Sequence, residues 1–149
     1  MRDTEALMLL CGLFRIAWID GREKRIPNKI LMILLIVRIV LLFGKCVLYR
    51  GIWVSEFEFL VNGFWLGGCL LLAVHLMFPK GLGAGDVKLF AVIGAYLGRE
   101  PLIFILFLSV LYASVYSIGM LLLKRDAFRN KFSFAPFIFL GVLTTMMIQ

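Results

Sequence analysis

Apolar residues in this 149-residue chain come in long blocks, at residues 6–19, 30–48, 59–78, 89–97, 102–123 and 132–148. The blocks are longer than strands and do not alternate polar with apolar, so they predict helices and argue against a barrel. Two are short. At ~1.5 Å rise per residue, residues 6–19 fall short of the ~30 Å hydrocarbon layer, which draws Asp20 toward the interface. Residues 89–97 make a helix of ordinary length only by borrowing residues 83–88, which puts Asp86 on its first turn. Polar links separate the blocks: GREKRIPNK at 21–29, a mixed stretch at 49–58, the glycine-rich 79–88, GREP at 98–101 and KRDAFRNK at 124–131. Pro27 and Asn28 suit a turn or the opening of the second helix, where a missing N–H does no harm. The pattern predicts an all-α polytopic membrane bundle of about six transmembrane helices, forming a single domain over residues 1–149.

Composition strengthens this picture. The chain is 62% hydrophobic with a mean hydropathy of +1.00, more apolar surface than a soluble fold of this length can hide. The lipid bilayer is therefore its expected surroundings. The net charge of +7 resides mostly in the links. The links at 21–29, 79–88 and 124–131 hold ten Lys and Arg residues, against Arg2, Lys45, Arg50 and Arg99 on the opposite side. That bias places the three basic links in the cytoplasm and both termini outside, and the cytoplasmic (inner) membrane is the expected location. It argues for topology and against nucleic-acid binding, since no aromatic and basic platform lies on a soluble face. Cys11, Cys46 and Cys69 are far apart and are expected to be packing residues; with His75 as the only histidine, no zinc site is expected. Residues 1–19 make a poor signal peptide, because Asp3 and Glu5 spoil a basic start and Arg15 interrupts the apolar stretch.

The topology has a chemical consequence. Asp20, ending the first span, and Asp86, starting the fourth, arrive at the same cytoplasmic face. Two carboxyls a few ångströms apart cannot both ionise easily, because each charge raises the other's proton affinity. The ionised member can take a proton from water as it attacks an amide carbonyl, and the protonated member can polarise that carbonyl. Such a reaction needs neither metal nor cofactor, and none is expected. Burial favours neutral acids, whereas a helix N-terminus and Lys88 favour an ionised Asp86, so the balance and the division of roles stay open. Gly83 and Gly85 flank the acid without side chains and leave room for a peptide backbone to approach, although a plain turn would use the same residues. Gly98, in the opposite link, is expected to accept alanine unless its φ is positive. Glu23 and Asp126 are expected to be dispensable. The alternative function is a small non-enzymatic transporter or assembly subunit in which Asp20 and Asp86 bind a proton or cap helices.

Three stretches carry a resemblance: Asp20 followed by Arg25-Ile26-Pro27-Asn28, GLGAGDVKL at 81–89, and FAPFIFLG at 134–141. Through them the chain resembles the prepilin peptidases, the leader peptidases of type IV pilins and pseudopilins, over nearly its whole length. The resemblance implies an aspartic endopeptidase with Asp20 and Asp86 as catalytic residues and a prepilin or pseudopilin precursor as substrate. It implies cleavage of a short basic leader after a glycine, just before an apolar helix, at the cytoplasmic membrane face. Gly83, Gly85, Lys88, Pro27 and Asn28 would then contact the substrate. Many bacterial members also carry an N-terminal extension with paired C-x-x-C motifs and methylate the new amino terminus; this sequence shows no such motifs, so peptidase activity without methylation is the expectation.

Overall fold

The computed structural model describes residues 2–48, 51, 53–77, 83–122 and 133–148. Among them the chain forms six helices and no strand: α1 (Arg2–Glu23), α2 (Asn28–Leu48), α3 (Trp53–Met77), α4 (Ala84–Leu97), α5 (Arg99–Leu122) and α6 (Ala135–Ile148). The basic link at 124–131, with Asp126, and residues 79–82 lie outside the described residues.

Three helices, α2, α3 and α5, are long and apolar enough to cross a membrane, with mean hydropathies of 2.7, 1.8 and 2.2. Large apolar side chains such as Val40, Phe43, Phe107 and Val115 project outward. Exposed apolar surface on this scale suits a lipid surround and not water. The protein is an all-α, multi-pass membrane bundle. The other three helices differ from plain spans for visible reasons: α1 carries Glu5, Arg15 and Asp20 along its length, while α4 and α6 have only 14 residues each.

Helix limits shift from the apolar blocks where polar residues help the helix. α1 runs on to Glu23, which places Asp20 on its last turn instead of beyond its end. It closes through Lys24, whose φ of 52° lets its N–H donate to the Asp20 carbonyl at 2.8 Å. This is the left-handed ending that orphaned helix carbonyls favour. α3 begins at Trp53, six residues ahead of the apolar block, with Glu56 in its first turn, where a negative charge suits the helix dipole. α2 opens as expected, the Pro27 carbonyl accepting from Ile30 N at 3.1 Å.

The shortest helices decide the architecture. α4 packs against α1, α2, α3 and α5, and nine of its 14 residues are buried, from Asp86 to Tyr96. Its tightest neighbour is α3. A Cβ on Gly63 would overlap the Gly94 carbonyl, one on Gly94 would overlap that of Gly63, and one on Gly67 would meet the Phe90 carbonyl at 2.5 Å. The two backbones therefore touch directly, as small residues allow in membrane helix pairs. The adjacent Gly68 is different: its Cβ would meet only the Ala91 Cβ, at an ordinary 3.5 Å.

Away from the aspartates, four charges of zero sum lie between α1, α2 and α3. Arg38, 1% exposed, donates to Glu5 at 3.1 Å and sits 3.6 Å from Glu56. Lys45 reaches the same two acids at 2.8 and 3.2 Å. A lone arginine in an apolar bundle would be costly; here each cation has two anions. The Arg38 Nε also donates to the Ala95 carbonyl at 2.9 Å, satisfying one of the orphan acceptors in the last turn of α4. One expectation changes, and at Gly98 the exception for a positive φ applies. Cys11 and Cys69 are exposed and not packing residues. Gly98 has φ +79°, and a Cβ there would run into the Phe59 ring, so alanine is not mild at this position.

These contacts rank the glycines. Gly63→Ala and Gly98→Ala should each cost about 1–3 kcal/mol or more, as overpacked or strained sites do, whereas Gly68→Ala should leave thermal unfolding in detergent near the parental value. Equal tolerance at Gly63 and Gly68 would refute backbone contact between α3 and α4.

Candidate active site

The site lies where α1 ends and α4 begins. Asp20, on the last turn of α1, and Asp86, on the first turn of α4, are 5% and 8% exposed, among the few buried acids of the described residues. Both stand just beyond the apolar stretches of their helices, 6–19 and 89–97.

Each carboxyl is held by the start of a helix. The Asp20 Oδ2 accepts the Ala135 N–H at 3.2 Å. Ala135 is the first residue of α6 and Pro136 beside it has no N–H, so this donor has no partner within its own helix. Ser133 Oγ donates to the Asp20 carbonyl at 2.7 Å, adding a second tie to the same approach. Asp86 caps its own helix: its Oδ2 accepts the Gly83 N–H at 3.1 Å, the half of a capping box that a glycine N-cap permits.

Burial is the dominant influence on both acids. It raises the Asp20 carboxyl above its ordinary range, with the Ala135 N–H pulling the other way. Asp86 is pushed up to about 6 by burial, partly offset by the Gly83 N–H and raised further by the charge of Asp20. Asp86 therefore feels the charge of Asp20, which comes from a different helix. Two carboxyls close enough to interact can hold one proton between them over a range in which lone aspartates have lost theirs. One member can then act as base and the other as acid.

The five residues expected to contact a substrate gather around this point. Lys88 Nζ donates to Asn28 Oδ1 at 3.4 Å, joining α4 to the start of α2. Pro27 precedes Asn28 and supplies the carbonyl on which α2 starts. Gly83 holds Asp86. Gly85 faces Ile26, whose Cβ lies 3.0 Å from where a Gly85 Cβ would be. The vacancy at Gly85 is thus filled by the chain's own side chain, and a substrate backbone could enter there only if Ile26 moved. Sequence reasoning missed Ser133 and Ala135 as the anchors of Asp20. The proline at position 136 was the available signal, since proline marks a helix start and hence free N–H groups. For Ile26 against Gly85 no local signal exists.

The comparisons with known proteins bear on this geometry. The chain is 31% identical over 147 residues to the prepilin leader peptidase/N-methyltransferase of Escherichia coli (strain K12), covering 96% of this chain and 63% of that protein. It is 29% identical over 144 residues to the protein of the same name from Pseudomonas putida, covering 91% and 48%. Over a shorter stretch of 75 residues it is 44% identical to the one from Bacillus subtilis (strain 168), covering 50% and 30%. The chain thus spans less than two thirds of each of these relatives. No solved structure matches it. Residues 7–118, which run from α1 through most of α5 and contain both aspartates, match the type IV leader peptidase family, and the chain belongs to it.

Proposed function

We propose that this protein is an aspartic endopeptidase of the cytoplasmic membrane. It removes the short basic leader of a type IV prepilin or pseudopilin precursor, cutting after a glycine at the cytoplasmic face. The observation that carries this reading is the pair of buried carboxyls, Asp20 from α1 and Asp86 from α4, whose charges act on each other at one end of the bundle. The relatives' names join a peptidase to a methyltransferase; the aspartate pair bears on the peptidase half alone.

In the mechanism, the ionised carboxyl accepts a proton from water as its oxygen attacks the scissile carbonyl, and the protonated carboxyl donates to the carbonyl oxygen. The backbone N–H of Ala135 and that of Gly83 fix one oxygen of each acid, which leaves the other oxygen of each for water and substrate. Lys88 and Asn28 supply polar atoms for the substrate backbone beside the acids, and Pro27 and Gly83 hold their two turns in shape. Gly85 keeps Ile26 close, so the substrate passes nearer Lys88 than Gly85.

Asp20→Asn and Asp86→Asn should each abolish leader cleavage, seen as loss of a mobility shift when a prepilin is co-expressed, with membrane insertion intact. Glu23→Gln, at an exposed position, should process normally. Cleavage by either Asn variant at the parental rate would remove the shared-proton mechanism.

Stability offers an independent check of the Asp86 environment. The folded carboxyl keeps its proton up to about 6, against an ordinary value of 3.8, so between these values the folded state binds more protons than the unfolded state. Stability then falls as pH rises through that window. Asp86→Asn cannot ionise, so it should melt several degrees above the parent beyond pH 6, with the gap closing below about 3.8. A gap that is constant with pH would show that the acid is not destabilised by burial.

Topology follows from the basic links. In a background lacking Cys11, Cys46 and Cys69, Arg25→Cys should resist an impermeant thiol reagent applied to intact cells, and Glu100→Cys should react. The reverse order would put the acids on the wrong side for a cytoplasmic leader.

A further inference from the structure

The link between α1 and α2 runs from one acid to the other. Its start is bonded to Asp20: Lys24, with its left-handed φ of 52°, donates its N–H to the Asp20 carbonyl at 2.8 Å. Two residues on, Ile26 packs against Gly85, the residue before Asp86. Its Cβ, Cδ1 and Cγ1 lie 3.0, 3.3 and 3.4 Å from where a Gly85 Cβ would be. Asn28 then accepts from Lys88, two residues past Asp86, at 3.4 Å. The piece between these contacts is stiff. Pro27 has a fixed φ, and Ile26 is both β-branched and the residue before a proline, which restricts its side chain and its backbone.

We propose that Ile26 is a spacer: seated on Gly85, it sets the distance between the carboxyls of Asp20 and Asp86. It is thereby a positioning residue for the reaction, a role that rests on the peptidase reading above. The N–H groups of Ala135 and Gly83 fix how each carboxyl is turned, but neither group spans the two acids. The link does, with Arg25 and Ile26 alone between the Lys24 that holds Asp20 and the glycine beside Asp86. Separation matters because two carboxyls share a proton only at short range, their mutual effect falling with distance.

The form of Gly85 agrees with this role. Among the described residues Gly98 is the glycine with a positive φ, so the backbone at Gly85 is one that any residue adopts. What glycine supplies there is the missing Cβ. It lets the link come this close to α4, and the isoleucine stops it coming closer.

The test reads the separation through titration. The chain has four aspartates, Asp3, Asp20, Asp86 and Asp126, so NMR of isotope-labelled aspartate carboxyls in the full chain in detergent follows each one. The Asp86 signal is assigned by its loss in Asp86→Asn. Gly85→Ala puts a methyl group against Ile26 and wedges the link from α4. The Asp86 midpoint should then fall by a few tenths of a pH unit as the charge of Asp20 recedes, whereas added burial would raise it. Ile26→Phe, thickening the spacer from the other side, should act in the same sense. Ile26→Ala should restore the parental midpoint in the Gly85→Ala protein by relieving the wedge, and Gly85→Ala should move nothing in an Asp20→Asn background. No charge is altered at either position, and the exposed charges around the pair, Arg22, Glu23, Lys24, Arg25, Lys29 and Lys88, stay in place. An unmoved or raised midpoint in both wedge variants, or an equal fall with and without Asp20, would overturn the spacer.

Cleavage gives the second reading, on a polypeptide with a short basic leader ending in glycine and an apolar helix of about 20 residues. Gly85→Ala should lower kcat about tenfold or more, leave KM within about twofold, and move the alkaline limb of the kcat profile down with the Asp86 midpoint. A merely structural defect would lower kcat at every pH and leave that limb in place, which would also overturn the proposal. A parent that cleaves, with midpoints that stay, sinks the spacer alone. Midpoints that move as stated in a parent that does not cleave sink the peptidase reading and leave the spacer standing.

Discussion

Direct contact between the backbones of α3 and α4 is the constraint on which the remaining structure depends. α4 has 14 residues, about 21 Å at ~1.5 Å per residue, and cannot cross a ~30 Å apolar layer alone. It is stable where it is because longer helices surround it. Gly63, Gly67 and Gly94 let α3 come close enough to cover one side of α4 without side chains between them. The start of α4, and Asp86 with it, then lies where α1 ends, at Asp20.

Polar contacts secure both ends of α4, where helix backbone groups lack internal partners. At its start, Asp86 takes the Gly83 N–H; in its last turn, Arg38 takes the Ala95 carbonyl. The Arg38 contact is the more demanding, since it needs a guanidinium in an apolar bundle, and Glu5, Glu56 and Lys45 exist around it as a neutral cluster. A buried ion cluster is weak ground for a claim of extra stability, because desolvation offsets much of its attraction. Its firmer consequence is registry: the cluster ties α1, α2 and α3 to one another, and through Ala95 to α4.

Hydropathy made the helices legible, because a block of apolar residues in lipid needs little tertiary information to become a helix. Their limits were less so. α3 starts at Trp53 inside a stretch with two glutamates, since Glu56 finds Lys45 and Arg38 across the bundle, a fact no local window contains. Asp20 and Asp86 stood out as acids at the edges of apolar blocks, and Lys88 and Asn28 were legible as their neighbours. The anchors of Asp20 were not, because Ser133 and Ala135 are 113 and 115 residues away and their role is played by backbone and hydroxyl groups common to any chain. Glycine was the least legible residue type. Gly85 accommodates Ile26, Gly98 needs its positive φ, and Gly68 opens onto a groove, yet all three look alike in sequence.

Capping and catalysis are often set against each other as explanations for an acid at a helix start, and in the mechanism proposed for Asp86 one supports the other. A cap exposed to water is favoured by the helix dipole and accepts its hydrogen bond as an ionised group, so its pKa falls. Asp86 has the cap, yet burial outweighs it and the neighbouring Asp20 adds to the rise. What the caps contribute is orientation: Gly83 and Ala135 each hold one oxygen and so limit how the carboxyls turn. Preorganised acids need that restraint from the groups around them. Burial and helix start pull each acid in opposite directions, and the same two helix starts hold the carboxyls in place. Ala135 N, on α6, is therefore as much a part of the site's construction as the glycines beside Asp86.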